Sequence, residues 1–168
     1  MKSTINIIGS GFSSAVILDT NDLFFNKTIQ CSFIEPYPQR LLKLFTEEEK
    51  KSNQLMQNFV QDVDIDFFKT LNENDLIFID SSHVSKTGGD LNHIFFNILP
   101  QLNKGVLIHF HDIFYPFEYP KQWILDERCW NEAYLLRAFL SYNQDFKIMA
   151  FNTFLEYFNE NWFKENMP

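Results

Sequence analysis

Asp75-Leu76-Ile77-Phe78-Ile79-Asp80-Ser81-Ser82-His83 decides the fold of this chain, and Val106-Leu107-Ile108-His109-Phe110-His111-Asp112 repeats its plan downstream. Each is a short, uninterrupted apolar run that closes on ionisable side chains. Such a run fits a strand covered on both faces, the habit of parallel sheets in α/β proteins. The interval between the two is about thirty residues, which is what a βαβ unit requires. Acids and imidazoles at the C-terminal ends of parallel strands face the crevice where open α/β sheets hold ligands. A structural strand has no need of Asp and His together at its exit, so the repeated pattern points to chemistry.

Working outward, Thr4 to Ile8 reads as a first strand, ended by the turn Gly9-Ser10-Gly11, with a helix from Phe12 to Leu18. Ile29 to Ile34 is a second strand, closed by Glu35-Pro36 and followed by a helix from Gln39 to Phe45. The charge run Glu47 to Lys51 is expected as a solvated helix end and loop. A third strand is expected around Leu55 to Val60, then Asp62 and a short helix near Ile65 to Leu71. Leu76 to Ile79 and Val106 to Phe110 are the fourth and fifth strands. Between them Asp90 can cap a helix carrying Leu91, Ile94, Phe95, Ile98, Leu99 and Leu102 on one face. The loop Phe114 to Pro120 is too rigid and apolar for a linker and reads as a lid or pocket wall. A helix from Trp130 to Tyr142, facing inward with Trp130, Tyr134, Leu135, Ala138, Phe139 and Tyr142, precedes a sixth strand at Lys147 to Phe151 and a helical tail from Thr153 to Pro168. The expected architecture is one α/β domain over residues 1–168, a Rossmann-like doubly wound, mostly parallel sheet with helices on both faces and the first strand at its centre.

Composition narrows the function. The chain has 168 residues, 45% hydrophobic and 21% charged, enough for a sizeable core. Twenty Phe imply a core filled by rings, with aromatic surface left for a partner. A formal charge of -8 disfavours nucleic acid and anionic membrane as partners and favours a small-molecule substrate. No apolar run is long enough to span a bilayer and the N-terminus lacks the features of a signal peptide, so a cytoplasmic location is expected. Cys31 and Cys129 have no paired spacing and read as reduced structural thiols.

Several positions are candidates for binding, each with a plain structural alternative. Glycines at 9 and 11 let the backbone pass close to a ligand and leave helix amides for an anionic group, or they form only a tight β-to-α connection. Glu35, about twenty residues further on, stands where nucleotide-binding sheets hold a ribose diol, or is a surface acid before a Pro turn. Asp62, beyond the third strand, shares that ambiguity.

The motifs Gly9-Ser10-Gly11-Phe12-Ser13-Ser14, Phe33-Ile34-Glu35-Pro36-Tyr37-Pro38, Phe78-Ile79-Asp80-Ser81-Ser82-His83 and Ile108-His109-Phe110-His111-Asp112-Ile113 together resemble those of class I S-adenosylmethionine-dependent methyltransferases. The nearest branch by resemblance is the small-molecule or sugar O-methyltransferase group, some of whose members use magnesium. The resemblance runs from about Thr4 to Asn152. It implies S-adenosylmethionine as cofactor, with Gly9, Ser10 and Gly11 along its methionine end, Glu35 on the ribose, Asp62 near the adenine, and Asp80 beside the cofactor. It further implies Asp80, His111 and Asp112 as metal-site positions and His83 as general base. The family often carries an acid two residues before the first glycine; here Ile7 stands there and Asn6 one place earlier. Related enzymes usually have helices before the first strand, so a shortened enzyme, a fragment, or a homo-oligomer that supplies the missing cover is expected.

Physical chemistry bears on the last set. Adjacent strands lie about 4.8 Å apart, so carboxylates at neighbouring strand exits can share a divalent cation at oxygen distances near about 2.1 Å. Such an ion lowers the pKa of a bound hydroxyl, and an imidazole near neutrality can take its proton. The alternative for His83 is a loop histidine capping the next helix. His109 lies deeper and is expected as a hydrogen-bonded core imidazole, and His93 lies on the polar side of its helix. Imidazole is an awkward magnesium ligand, so His111 either supports the ligands or marks a manganese, iron or zinc site, and a non-haem iron centre is a minor alternative. The expected function is methyl transfer to a hydroxyl of a small molecule or saccharide. The competing readings are a non-catalytic methyltransferase-like module and a metal-dependent enzyme of another class.

Overall fold

The computed structural model describes residues 3–166. Met1, Lys2 and the last two positions of the expected tail, Met167 and Pro168, lie outside the described residues. The chain falls into two compact units: the first runs to Ser82 and takes up again over Lys86–His111, and the second joins His83–Ser85 to the chain from Asp112 onward.

The first unit is a five-stranded sheet, all parallel, of β1 Thr4–Ile8, β2 Gln30–Ile34, β3 Gln54–Met56, β4 Leu76–Ile79 and β5 Leu107–Phe110, in the order β3-β2-β1-β4-β5. The doubly wound expectation holds, with β1 central and the order reversing between β1 and β4. On one face Ile7, Phe33, Cys31 and Phe78 join Leu18, Leu41 and Phe45 in the core. Phe33 and Phe45 meet edge to face at 5.1 Å. Side chains alternate along each strand, so Ile8, Ile34, Ile77 and Ile79 form the opposite face, where Phe110 stacks on Phe95 at 5.2 Å. Each fully buried ring or aliphatic side chain contributes roughly 1.5–3 kcal/mol.

Helix α1, Phe12–Phe25, is longer than the sequence suggested. Asn21, inside it, clasps the chain beyond its end: its amide donates to Ile29 O at 2.9 Å and accepts from Ile29 N at 3.1 Å. Asn26 then closes the helix in the left-handed conformation. Helix α2 is Gln39–Leu44. The acidic run that follows is a helix, α3 Glu47–Ser52, rather than a loop, because Thr46 and Glu49 form a reciprocal capping box. A 3-10 turn at Val60–Asp62 and α4, Ile65–Lys69, lead to β4. At the N-terminal end of the sheet Asp75 is buried and accepts from Thr4 N at 2.7 Å and Asn72 N at 2.8 Å, which makes it a structural acid.

The helix after β4, α5 Asp90–His93, changes pitch as it continues, into a π-helical stretch at Ile94–Ile98 and a 3-10 turn at Leu99–Gln101. Pro100 supplies no N–H to continue an α-helix. The expected apolar face is buried at Leu91, Ile94, Phe95, Ile98 and Leu99. Gly89, not Asp90, is its N-cap; Asp90 instead holds Ser82 by the backbone N–H at 2.8 Å and the hydroxyl at 2.5 Å.

The second unit contains α6 Lys121–Leu125, unexpected from sequence, α7 Glu132–Ser141, α8 Asn152–Phe158 and α9 Glu160–Asn166. The tail is thus two helices. The expected sixth strand is absent: residues 147–151 make no sheet pairing, Ile148 and Met149 are exposed, and Phe151 packs its ring against Tyr115 and Phe117. The buried face of α7 is Glu132, Ala133 and Leu136, so the expected inward face is rotated, and Tyr134, Ala138 and Tyr142 face solvent. Aromatic residues at these positions follow a helical period too short in length to fix its phase. The 114–120 loop is a packing element of this unit: Tyr115 meets Phe154 at 5.1 Å, Phe114 meets Trp123 at 5.1 Å, and Tyr119 meets Trp130 at 6.1 Å.

Candidate functional site

Four strand exits align in one row. Gly9 N donates to Ile34 O, Glu35 N to Met56 O, Asp80 N to Ile8 O and His111 N to Ile79 O, at 2.9–3.0 Å. Glu35, Gly9, Asp80 and His111 therefore occupy equivalent positions just past β2, β1, β4 and β5, on the side of the sheet where its strand order reverses. Parallel register alone produces this row, because every strand ends within one residue of its neighbour.

Gly9 is required for the row to close. Its φ is +82°, and a Cβ there would lie 1.7 Å from the Asp80 carbonyl oxygen. Ser10 is buried and held from two sides: its hydroxyl donates to Glu35 Oε2 at 2.8 Å, and its carbonyl accepts from Arg40 Nη2 at 3.0 Å. The other Glu35 oxygen accepts from Tyr37 N at 2.8 Å. Ser13 on the first turn of α1 donates to Asp80 Oδ2 at 2.8 Å. Gly9, Ser10, Gly11, Glu35 and Asp80 are thus brought together, and Arg40 joins them unannounced by the sequence reading. Asp62 is apart from the row, exposed in its 3-10 turn. Phe59, before that turn, meets Tyr37 edge to face at 5.9 Å, and both rings are largely exposed.

Ile7, where the resemblance leads one to expect an acid, belongs to the apolar core, and the Asn6 amide is buried with no hydrogen-bond partner among the described residues. His109 lies flat on Phe78 at 4.3 Å; its Nε2 is buried without a hydrogen-bond partner among the described residues, so ring stacking stands in place of the hydrogen bond expected from sequence at that nitrogen. Burial, together with the neighbouring His111, pulls the His109 pKa down, and Asp80 partly offsets this. His93 is lowered as well, chiefly by burial, with Asp62 opposing.

Among the described residues no group of three or more His, Cys, Asp or Glu that could hold a metal ion is found, so the expected metal positions Asp80, His111 and Asp112 gain no support. The His111 ring lies by Phe78 and His109 at 5.7 and 5.9 Å, and one Asp80 oxygen accepts from Ser13.

In the second unit His83 is buried, with φ +57°, and its Nδ1 lies 2.7 Å from Glu132 Oε2. Its imidazole stacks on Trp130 at 4.0 Å. The cap of α7 holds this turn, since Asn131 N and Glu132 N both donate to His83 O, at 3.0 and 3.3 Å. Glu132 was not foreseen; Trp130-Asn131-Glu132 carries no spacing signal that connects it to a histidine 49 positions earlier.

The family model for a methyltransferase domain matches residues 7–113. An uncharacterized protein of Archaeoglobus fulgidus is 46% identical over 70 residues, which cover 40% of this chain and 30% of that protein. No solved structure matches.

Proposed function

The chain belongs to the class I S-adenosylmethionine-dependent methyltransferase family, and on that premise we propose that it transfers a methyl group to a hydroxyl of a small molecule or saccharide. The observation that supports this most is the pairing of the glycine turn with Glu35 through the Ser10 hydroxyl, at the reversal point of a parallel sheet. Residues there fit the cofactor: Gly9 has no room for a side chain, and Glu35, although it accepts from Ser10 and Tyr37, retains carboxylate lone pairs for a ribose diol. Tyr37 and Phe59 offer an aromatic wall for the adenine near Asp62, and Asp80 stands beside the turn. When bound, S-adenosylmethionine supplies an electrophilic methyl on its sulfonium. The chain's own residues orient it, and His83 accepts the proton of the acceptor hydroxyl.

Isothermal titration with S-adenosylmethionine and S-adenosylhomocysteine, with and without magnesium, tests this reading. Micromolar binding is expected, weakened at least about tenfold in Glu35→Ala, since a hydrogen bond to a charged group is worth roughly 1.5–3 kcal/mol and tenfold is about 1.4. No binding under either condition would turn the assignment to a non-catalytic module of the same fold.

A further inference from the structure

Glu132 is a fully buried carboxylate that the transfer reaction, as stated, does not use. Burying such a group costs several kcal/mol unless it is paired and hydrogen-bonded, and an apolar pair of similar volume is often as stable. Here a partner is His83 Nδ1, at 2.7 Å, in a residue that is itself only 5% exposed.

The surroundings fix both partners. The two backbone N–H groups at the head of α7 hold the His83 carbonyl, and Asn131 adds a second tie by accepting from Ser85 N at 2.6 Å and donating to Ser85 O at 3.3 Å. Trp130 covers the imidazole face, and Ala133 N donates to the hydroxyl of buried Tyr119 at 2.9 Å. His83 is kept in the left-handed backbone region, which costs a non-glycine residue roughly 1–2 kcal/mol. Strain of this kind persists where the surrounding structure over-determines it, and it clusters at functional positions. Glu132 opens a ten-residue helix, where the macrodipole favours an anion. An ionised carboxylate only accepts, so opposite an ionised Glu132 the Nδ1 is the donor.

We propose that Glu132 is the positioning residue of His83: it holds the imidazole with its proton on Nδ1 and so sets the ring in the tautomer whose basic nitrogen is Nε2. This role rests on the assignment of His83 as base. Free neutral imidazole favours the proton on Nε2, so the bond to Glu132 reverses the ring's own preference.

Long-range proton–nitrogen correlation on the full chain labelled with [15N]histidine reads this directly, with His83→Gln used to assign its signals. At neutral pH the wild type is expected to show a protonated Nδ1 on His83. Glu132→Gln, which can donate as well as accept, is expected to lose the single Nδ1–H species and to populate the Nε2–H form. Glu132→Asp, which keeps the carboxylate, is expected to retain Nδ1–H and serves if the glutamine variant does not fold. A wild-type Nε2–H form, or His83 signals in Glu132→Gln identical to the wild type, would overturn the proposal. Titration of the same wild-type sample with S-adenosylhomocysteine separates the two levels. Loss of binding there removes the methyltransferase reading and leaves the His83 nitrogens as measured, whereas an Nε2–H ring removes the role of Glu132 and leaves the cofactor site intact.

Discussion

Gly9→Ala and Gly11→Ala, two substitutions that look alike in the sequence, are expected to part sharply. At Gly9 a methyl group would sit 1.7 Å from the Asp80 carbonyl oxygen and 2.6 Å from its carbon, both backbone atoms of the neighbouring strand exit. Neither can yield without breaking Asp80 N to Ile8 O at 2.9 Å, the bond that joins β1 to β4 at the site. Forcing extra volume against packed structure costs roughly 1–3 kcal/mol. The φ of +82° adds roughly 1–2 kcal/mol for any residue with a Cβ. A total loss of roughly 2–5 kcal/mol is a large part of the roughly 5–15 kcal/mol a domain possesses. At Gly11 the backbone is extended, with φ 179°, and the nearest atom to a new methyl is the Arg40 guanidinium carbon at an ordinary 3.6 Å. Gly11 is buried as well, but with neither a clash nor a positive φ its loss is expected at about 1 kcal/mol, the usual cost of alanine at a helix N-cap. Urea denaturation of the three proteins, at equal m, measures the difference. Equal midpoints for the two variants would refute the reasoning, because they would mean that the turn is free to open at Gly9.

Two further outcomes follow from buried titratable groups. His109 has its pKa lowered in the folded chain, chiefly by burial, so the unfolded chain binds the extra proton first as pH falls below about 6.5. The stability it contributes is complete above that pH and declines below it, at a slope of at most about 1.4 kcal/mol per pH unit. His109→Phe, which can keep the stack on Phe78, is expected to flatten that decline in urea titrations between about pH 6.5 and pH 5; an unchanged slope would assign it to other groups. Burial pushes the Cys31 thiol up to about 11, whereas Cys129 is exposed. A thiol reagent at pH 8 is therefore expected to modify Cys129 alone in the native chain and both cysteines in denaturant, and rapid native reaction of Cys31 would contradict its burial.

Strands β1 and β4, the glycine turn and the Glu35 exit were legible because they depend on local or short-period signals. A continuous apolar run marks a doubly covered strand wherever it pairs, and a parallel sheet brings every strand exit to one edge. The same physics places Gly9, Glu35 and Asp80 in one row. Less was legible where identity depends on partners far away in the chain. The run Lys147 to Phe151 has strand-like composition, yet its Phe151 ring joins Tyr115 and Phe117 instead of a sheet. The His111 ring lies at a tilt beside Phe78 and His109, contacts that no spacing in the sequence announces. Arg40 and Glu132 carry no local signal at all. Residue types and their periods determine which segments become buried strands and which ends carry acids, since those follow from the backbone's repeat and the transfer of apolar surface. Tertiary structure alone decides that Ser10 joins Glu35 and that Glu132 finds His83, because a hydrogen bond over tens of residues exists only once packing has brought donor and acceptor within 3 Å.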